Sequence, residues 1–337
     1  MKNIKILAIE TSCDETSCAV VENGKTVLSN IVSSQIKTHT QTGGVIPEIA
    51  SRLHAEQITY VVDKAIKEAG VDFDEIDAIA TTMGPGLVGA LLVGIESAKT
   101  LSFCYDKPLI GVHHIAGHIY ANNIESELKF PLMALVVSGG HTELIYMKED
   151  LNFEVLFKTT DDAIGETFDK VARVLKLPYP GGPHIDRLAK LSKSEIDLNY
   201  KYDSSLNSFS YSGLKTAIVN YVNSAKMKLD SINEEDVCYS FQKLAVMQLV
   251  DKTTKAIKMH DIKQLVVAGG VAANSYLRDQ LETNIDIDLV IPSIKYCTDN
   301  AVMIGAVAYH QYLKNDFSDY GINANPNLKL EECYNDK

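Results

Sequence analysis

The chain has 337 residues, 46% of them hydrophobic, and a formal net charge of −12 at pH 7. This length exceeds what one hydrophobic core usually organises, so we expect two lobes of ordinary domain size. The acidic balance opposes non-specific binding to polyanions, so a nucleic-acid substrate would need a local basic patch or one supplied by a partner.

The apolar stretches and the cysteines indicate a soluble, cytoplasmic protein. Runs such as residues 91–93 are interrupted by Gly and Glu well short of a membrane span. The N-terminus continues directly into a strand-like segment, without a signal-peptide core or cleavage site. Six cysteines occur without C-x-x-C spacing, which argues against a disulfide framework and against a cysteine zinc site.

The first part of the chain predicts a strand hairpin followed by a strand–glycine–helix unit. Residues 4–10 and 18–21 have the composition and length of strands, and they are separated by a polar turn. Residues 76–82 predict a strand that enters the glycine turn 84–86, and a helical pattern follows over 87–101.

Two histidines, His114 and His118, are the most informative pair in the chain. Positions four apart lie on one face of a helix, so both imidazoles can reach a single metal ion. The zinc-protease motif shares this spacing, but it has a Glu after the first His as general base, and here Ile115 takes that place. The alternative is two helix-face histidines that pack under a loop, so a third, distant ligand is needed to favour metal binding.

The same order of units returns later in the chain. Residues 132–137 predict a strand, and a glycine turn and a second strand at 143–147 follow. Residues 265–268 predict a strand that enters Gly269-Gly270, with a helix over about 273–281. This duplication predicts two similarly built α/β lobes, each offering a hairpin turn and a helix N-terminus to a ligand cleft.

The domain boundaries follow from the duplication. We expect a first lobe over residues 1–130, closed by a C-terminal helix 301–325 whose strongly apolar part is 301–313, and a second lobe over 131–300. The polar segment of about 185–235 contains amphipathic runs and predicts a mostly helical insertion in the second lobe. Residues 314–337 are polar and turn-rich, so we expect a frayed end.

Three glycine-rich turns are candidates for phosphate binding, because such turns leave backbone N–H groups free to contact phosphate oxygens. They lie at residues 138–142, 179–183 and 269–274. Together they favour a nucleotide cleft over simple tight turns. Asn274, at the end of the third turn, is suited either to capping the next helix or to a hydrogen bond with a ligand.

The literal G-x-G-x-x-G at residues 84–89 does not predict a dinucleotide site. Pro85 removes an N–H donor, and no acidic residue ends a following strand about 20 residues later. We interpret these glycines as allowing close packing of helix on strand.

Three carboxylates complete the set of candidate site residues. Asp169 lies in a segment with an apolar side, and Asp186 follows the turn at 179–183. Asp299 lies just before the last long helix, where it could be an N-cap or the third metal ligand. Because that helix should pack back on the first lobe, a His114–His118–Asp299 site would form across the closure of the two lobes.

The chain closely resembles the universal tRNA threonylcarbamoyladenosine transferase family, the TsaD family, formerly described as O-sialoglycoprotein endopeptidases. That family belongs to the superfamily of actin, sugar kinases and heat-shock chaperone ATPases. The resemblance extends over nearly the whole chain, and length favours the bacterial member. It depends on motifs at residues 8–16, 44–54, 84–89, 114–118, 137–142, 168–170, 180–183, 210–215 and 269–274.

The resemblance implies an acyltransferase with two duplicated actin-like α/β lobes. It implies transfer of the L-threonylcarbamoyl group from threonylcarbamoyl-AMP to N6 of the adenine at tRNA position 37, with release of AMP, in tRNAs that read ANN codons. It implies one divalent metal ion per chain, Fe²⁺ or alternatively Zn²⁺, held by His114, His118 and Asp299. The residues it implies for binding the adenylate are Val137, Ser138, Gly139, Gly140, His141, Asp169, Gly182, Asp186 and Asn274.

The resemblance also implies partners: tRNA, a smaller paralogous actin-like protein and a small P-loop ATPase. No activating base is evident in the sequence, so no catalytic residue is predicted. Two other functions stay open at this stage, a metallopeptidase (glycoprotease) and an actin-like ATPase or kinase.

Overall fold

A computed structural model describes residues 2–192, 194–205 and 208–335. The chain divides into two compact units. Unit 1 comprises Met1–Phe130, Met147–Glu154 and Pro292–Lys337, and unit 2 comprises Pro131–Tyr146 and Val155–Ile291. Residues 292–300, which the sequence placed in the second lobe, therefore belong to unit 1.

Each unit contains a five-stranded sheet within the described residues. The order is β3-β2-β1-β4-β5 in unit 1 and β10-β9-β6-β7-β8 in unit 2. In chain order the strands are β1 (Lys5–Glu10), β2 (Glu15–Glu22), β3 (Thr26–Ser34), β4 (Ala78–Gly84), β5 (Leu109–His113), β6 (Leu132–Val137), β7 (Thr142–Met147), β8 (Glu154–Lys158), β9 (Gln264–Ala268) and β10 (Asp288–Val290).

The described helices are α1 (Ile36–Thr42), α2 (Pro47–Ala69), α3 (Val88–Tyr105), α4 (His114–Tyr120), α5 (Ile164–Val174), α6 (Gly181–Ala189), α7 (Ser212–Lys228), α8 (Glu234–Met259), α9 (Ser275–Asn284), α10 (Ala301–Leu313) and α11 (Leu330–Tyr334). None of them is long and apolar enough to cross a membrane.

The two sheets share one plan. In unit 1, β1 pairs with the next strand β2 on one side and with β4, in parallel, on the other. In unit 2, β6 lies between the next strand β7 and β9, and it pairs with β9 in parallel. Both central strands are almost entirely buried, which explains their continuous apolar sequence. The predicted duplication of an α/β plan is confirmed.

Helix α10 forms much of the core of unit 1. Its residues from Ala301 to Ala308 are all buried, and the helix packs on α4, β1 and β2. Gly117 of α4 permits this approach, because a Cβ there would lie 2.8 Å from Cδ1 of Ile304. The helix ends at Leu313, as the apolar run 301–313 predicts. Residues 314–325 of the expected closing segment are polar and do not continue it.

The segment predicted as a mostly helical insertion at about 185–235 is helical only at its ends within the described residues. Its first residues complete α6, α7 lies near its far end, and the chain between them is irregular. That irregular part is anchored on α8, where Ile196 N donates to Ser240 Oγ at 2.8 Å and Ser210 N donates to Gln248 Oε1 at 3.0 Å. Asp, Asn and Ser dominate this stretch and favour local side-chain bonds over a helix. Positions 193, 206 and 207 of the segment lie outside the described residues.

The expectation of a frayed C-terminal end is wrong up to residue 335, and positions 336–337 lie outside the described residues. Leu330, Cys333 and Tyr334 form one buried face of α11. The Tyr334 ring lies 5.0 Å from that of Phe153, and its hydroxyl accepts a hydrogen bond from His113 N at 3.3 Å. The apolar spacing of these residues is typical of a docked helix and was obscured by the polar residues around it.

Replacing Tyr334 with Ala should lower the free energy of unfolding by about 3 kcal/mol, because a buried aromatic ring is lost from the core. Tyr334→Phe should cost only about 1 kcal/mol, since it removes only the hydroxyl that His113 N and Gln311 Oε1 contact. Urea unfolding of both variants measures this, and Tyr60→Ala on the exposed face of α2 is the control. Equal stability of Tyr334→Ala and the unchanged protein would show that the tail does not anchor on unit 1.

Candidate metal centre and nucleotide-binding turns

The two histidines of the candidate metal centre lie on α4, which begins directly after strand β5. The His113 side chain caps this short helix by accepting a hydrogen bond from Ile115 N at 3.1 Å. The cap fixes the start of the helix, so His114 occupies its first turn and His118 follows one turn later on the same face. Both histidines are buried, as is Ile115 at the position where the protease motif has its Glu.

Asp299 completes a group of three possible ligands. The ligand atoms of His114, His118 and Asp299 all lie within 4.8 Å of one another. Oδ1 of Asp299 is 3.0 Å from Nε2 of His118 and 3.6 Å from Nε2 of His114. All three residues belong to unit 1, so the structure forms this group within one unit and not across the two predicted lobes.

The alternative role of Asp299 as the N-cap of the last long helix is wrong. Asn300 takes that place, because its side chain accepts a hydrogen bond from Met303 N. The preceding carboxylate of Asp299 does not cap the helix and faces the histidines instead.

The hydrogen bonding around His118 fits a metal ligand. Although its Nε2 is 3.0 Å from Asp299, neither ring nitrogen of His118 makes an aligned hydrogen bond to any described residue. Buried imidazole nitrogens without hydrogen-bond partners are rare in native proteins. Two imidazole nitrogens and one carboxylate oxygen that converge in this way can hold a divalent ion with open coordination positions for water or substrate.

Glu10, at the end of β1, is a further part of this centre that sequence reasoning missed. Its buried carboxylate accepts hydrogen bonds from Ser12 N at 2.5 Å and from the Thr82 hydroxyl, and Oε2 lies 3.3 Å from Nδ1 of His114. The available signal was an acidic residue that closes an otherwise apolar central strand. Because β1, β4 and β5 run parallel, their carboxyl ends meet at this edge of the sheet.

The acidic residues of this edge change one another's ionisation. Burial acts to lower the pKa of His114, but the Asp299 and Glu10 carboxylates outweigh it and raise that pKa to about 9. Burial acts to raise the pKa of Glu10, yet His114 holds that pKa below its usual value. Burial, with the charges of Asp14 and Asp299, raises the pKa of Glu15 to about 9. The concentration of negative charge favours a bound cation.

The first glycine-rich turn of unit 2 connects β6 to β7. Ser138 closes it, since its N–H donates to His141 O at 2.8 Å and its hydroxyl accepts from His141 N at 3.0 Å. Gly139 and Gly140 are exposed at the tip, and neither N–H donates a backbone hydrogen bond to a described residue. Val137 ends the strand below them. The turn thus presents free backbone donors of the kind that bind anions.

The glycines of unit 2 divide into two groups, except for Gly213, whose Cβ would lie 3.2 Å from Cε2 of Tyr200. A Cβ on Gly165, Gly181 or Gly269 would lie within 2.6 Å of another atom of the unit, so close packing explains these three. A Cβ on the other group would meet no described atom within 4 Å, and these glycines do not have a positive φ. This open group comprises Gly139, Gly140, Gly182 and Gly270. Neither packing nor backbone conformation requires glycine there, which favours a ligand as the neighbour that does.

The three polar side chains of unit 2 predicted to bind the adenylate make hydrogen bonds within the unit. Asp169 Oδ1 accepts a hydrogen bond from Gly181 N at 2.6 Å at the start of α6, and burial raises the pKa of this carboxyl. Asp186 accepts from the Ser275 hydroxyl at 2.7 Å. Asn274 caps α9 by accepting from Leu277 N at 2.9 Å. These bonds fix the carboxylate and amide groups beside the open glycines.

The G-x-G-x-x-G segment packs closely inside unit 1. A Cβ on Gly84 would lie 2.0 Å from Asn325 O, one on Gly86 2.6 Å from Ser12 O, and one on Gly89 2.4 Å from Ser51 Oγ. No space for a dinucleotide phosphate exists over these three residues.

Comparison with known proteins identifies the family. The family model "TsaD: tRNA N6-adenosine threonylcarbamoyltransferase" matches residues 26–306. The chain belongs to this family. A curated relative from Halalkalibacterium halodurans, named tRNA N6-adenosine threonylcarbamoyltransferase, is 56% identical over 97% of this chain and 96% of its own length. One from Bacillus anthracis, with the same name, is 53% identical over 98% of both chains.

Solved structures of more distant proteins show the fold of the TsaD-family chain. The full-length HypF structure in the phosphate- and nucleotide-bound form has a TM-score of 0.61 at 17% identity, covering 92% of this chain and 46% of HypF. Component A of the Acidaminococcus fermentans (R)-2-hydroxyglutaryl-CoA dehydratase has a TM-score of 0.56 at 15% identity, covering 92% of this chain and 99% of its own. The predicted α/β class with two duplicated actin-like lobes is confirmed.

Replacing His118 with Ala should remove the bound metal while the chain stays folded. The reason is that neither nitrogen of His118 makes an aligned hydrogen bond that the fold would lose. Elemental analysis of the purified protein should give about one ion per chain before the change and far less after it, with an unaltered circular dichroism spectrum.

The control for this experiment is His260→Ala, which removes a histidine at the end of α8 in unit 2. It should leave the metal content unchanged. Full metal occupancy in a His114→Ala/His118→Ala double variant would contradict the assignment of the centre.

Proposed function

We propose that the chain transfers the L-threonylcarbamoyl group from threonylcarbamoyl-AMP to N6 of the adenine at position 37 of tRNAs that read ANN codons, releasing AMP. The observation that carries the proposal is the convergence of His114, His118 and Asp299 in a chain 56% identical, over nearly its full length, to a protein of that name. The exposed glycine turn of unit 2 and the three possible metal ligands of unit 1 support this chemistry.

Unit 2 supplies the adenylate-binding groups in this proposal. The free N–H groups of Gly139 and Gly140 bind the phosphate, with Val137, Ser138 and His141 shaping the same turn. Gly182 lets the backbone at the start of α6 approach the nucleoside. Asp169, Asp186 and Asn274 contact the ribose or the threonylcarbamoyl end. A carboxylate is a poor neighbour for a phosphate backbone, which places Asp169 with the adenylate rather than with tRNA.

Unit 1 supplies the metal ligands. A bound divalent ion would act as a Lewis acid toward the threonylcarbamoyl group. Two imidazoles and a carboxylate suit Fe²⁺ and also accept Zn²⁺, and we propose Fe²⁺ as the native ion. His114, His118 and Asp299 would hold the ion, and the burial of the two histidines limits the access of water. The rate then depends largely on positioning the acyl donor and the adenine, which lies in a single-stranded loop of the tRNA.

A metallopeptidase activity is not favoured by the geometry. Ile115 is buried at the position of the protease Glu, so no general base follows the first histidine. Glu10 does not replace that base, because its carboxylate is fully buried and already bonded to Ser12 and Thr82. A kinase or ATPase without acyl transfer has no use for a His-His-Asp centre, and metal analysis separates that alternative.

We further propose that the chain works in the cytoplasm with tRNA, a smaller paralogous actin-like protein and a small P-loop ATPase. The net charge of −12 supports a need for partners, because an acidic chain binds a polyanion weakly on its own.

One reconstitution tests the function. The purified chain is incubated with unmodified tRNA, threonine, bicarbonate, ATP and the partner proteins, and the nucleosides of the tRNA are then analysed. The expected result is threonylcarbamoyladenosine at position 37 that depends on the chain and disappears in the His118→Ala variant. Modification that proceeds equally without the chain would overturn the proposal.

Replacing Gly182 with Leu should weaken adenylate binding at least about tenfold without destabilising the protein. The substituted Cβ meets no described atom of the free protein, so only a bound ligand would be displaced. Gly181→Ala is the matched neighbour: its Cβ would lie 2.3 Å from Cβ of Ala172, so it should lower stability. Calorimetric titration with AMP and thermal melts of both variants measure the contrast. Unchanged affinity in a folded Gly182→Leu variant would refute this placement of the nucleotide.

A further inference from the structure

The carboxylate of Glu10 is buried, so its ionised form needs hydrogen-bond partners or opposite charges beside it. Its side chain is fully buried at the end of the central strand β1. Burying an ionised group costs free energy unless hydrogen bonds or opposite charges compensate for it. Here the compensating partners are Ser12 N, the Thr82 hydroxyl and Nδ1 of His114.

These contacts define which nitrogen of His114 carries the proton. An ionised carboxylate only accepts hydrogen bonds, and hydrogen bonds from Ser12 and Thr82 favour the ionised form of Glu10. Nδ1 of His114 lies 3.3 Å from Oε2 of Glu10 and 3.1 Å from the Ser12 hydroxyl, which can donate or accept. A proton on Nδ1 is favoured, because a lone pair there would face the ionised carboxylate. The other nitrogen, Nε2, faces Asp299 and is left with its lone pair for a ligand bond once it is deprotonated.

We infer that Glu10 is a positioning residue of the metal centre, which fixes the ring orientation and the Nδ1–H tautomer of His114 so that Nε2 binds the metal. The arrangement of carboxylate, histidine and metal recurs in metalloproteins, where such outer carboxylates orient the ligand and increase its basicity. The inference rests on the proposed metal centre and adds a residue that does not touch the ion. It also gives the Thr82 hydroxyl a function, that of orienting Glu10.

Replacing Glu10 with Gln provides the main test, because it keeps the size of the side chain and reverses one hydrogen bond. The Ser12 N–H is a fixed donor, so the amide oxygen must stay on that side. The amide NH₂ then faces Thr82 and His114, where it donates to Nδ1 and forces the proton onto Nε2. Since that nitrogen can no longer coordinate freely, affinity for metal should fall about 10- to 100-fold.

The measurement uses the full chain stripped of metal and titrated with Zn²⁺ in competition with a chromogenic chelator. A purely structural role would lower the melting temperature of the metal-free chain without changing the tautomer. The nitrogen chemical shifts of His114 in ¹⁵N-histidine-labelled protein report the tautomer directly. In spectra of the metal-free chain recorded above pH 9, where the His114 ring is neutral, Glu10→Gln should move the proton from Nδ1 to Nε2. Glu10→Asp, which keeps the acceptor charge, should recover part of the affinity.

A pair of threonine variants keeps the test decisive if Glu10→Gln does not fold. Thr82→Val removes the hydroxyl that orients Glu10 and should reduce affinity for Zn²⁺ by a smaller factor. Thr81→Val on the same strand is the control, because the Thr81 hydroxyl faces Gly94 of α3 and has no hydrogen-bond partner among the described residues. It should leave the affinity unchanged.

The experiment distinguishes failure of the proposed metal centre from failure of the positioning role of Glu10. If the unchanged protein binds Zn²⁺ without involving His118, the proposed metal centre fails. If it binds at that centre, and Glu10→Gln and Thr82→Val bind as tightly as Thr81→Val, the centre stands and the positioning role of Glu10 is overturned.

Discussion

The close contact between α4 and α10 is the constraint on which the candidate centre depends. Asp299 is far from the histidines in sequence and reaches them only because α10 lies against α4 in the core of unit 1. Gly117, between the two histidines, makes room for Ile304, and Asn300 starts the helix just after the carboxylate. Burial of the apolar α10 therefore supplies the free energy that holds three polar side chains together.

That arrangement concentrates charge in a place where water is scarce. Asp299 and Glu10 raise the pKa of His114, and His114 holds the pKa of Glu10 below its usual value, because these groups lie buried or partly buried beside one another. The raised pKa of His114 favours a proton on its ring in the metal-free chain, which balances this negative charge. A divalent ion provides the same balance and would take the place of that proton on Nε2. Metal binding and proton release are thus coupled by the electrostatics of the site.

The sequence predicted the features that have a local or repeated signature. The spacing of His114 and His118 and the duplicated strand–turn–strand units could be recognised without a structure, and so could the residue types at the open glycines. The contact of Glu10 with His114 could not, because it joins the ends of β1 and β5, which lie on either side of β4 and come close only in the folded sheet. Asp299 was placed in the wrong unit for the same reason: the unit boundary at Pro292 depends on how α10 packs.

In the proposed function the two units use equivalent turns for different ligands, and the difference is one of side chains. After β1, the turn carries Thr11 and Ser12, and Ser12 fills the space over Gly86 at the start of the strand–glycine–helix unit. After β6, the corresponding turn has Gly139 and Gly140, and the space over Gly270 stays open. In the first turn, Ser12 occupies the space where an anion could approach. Its N–H donates to Glu10, which in turn contacts the metal ligand His114. Leaving the second turn bare keeps its backbone donors free for a phosphate. One duplicated plan thus offers both a metal centre and a nucleotide site, because the turn after β6 has two exposed glycines and the turn after β1 has none.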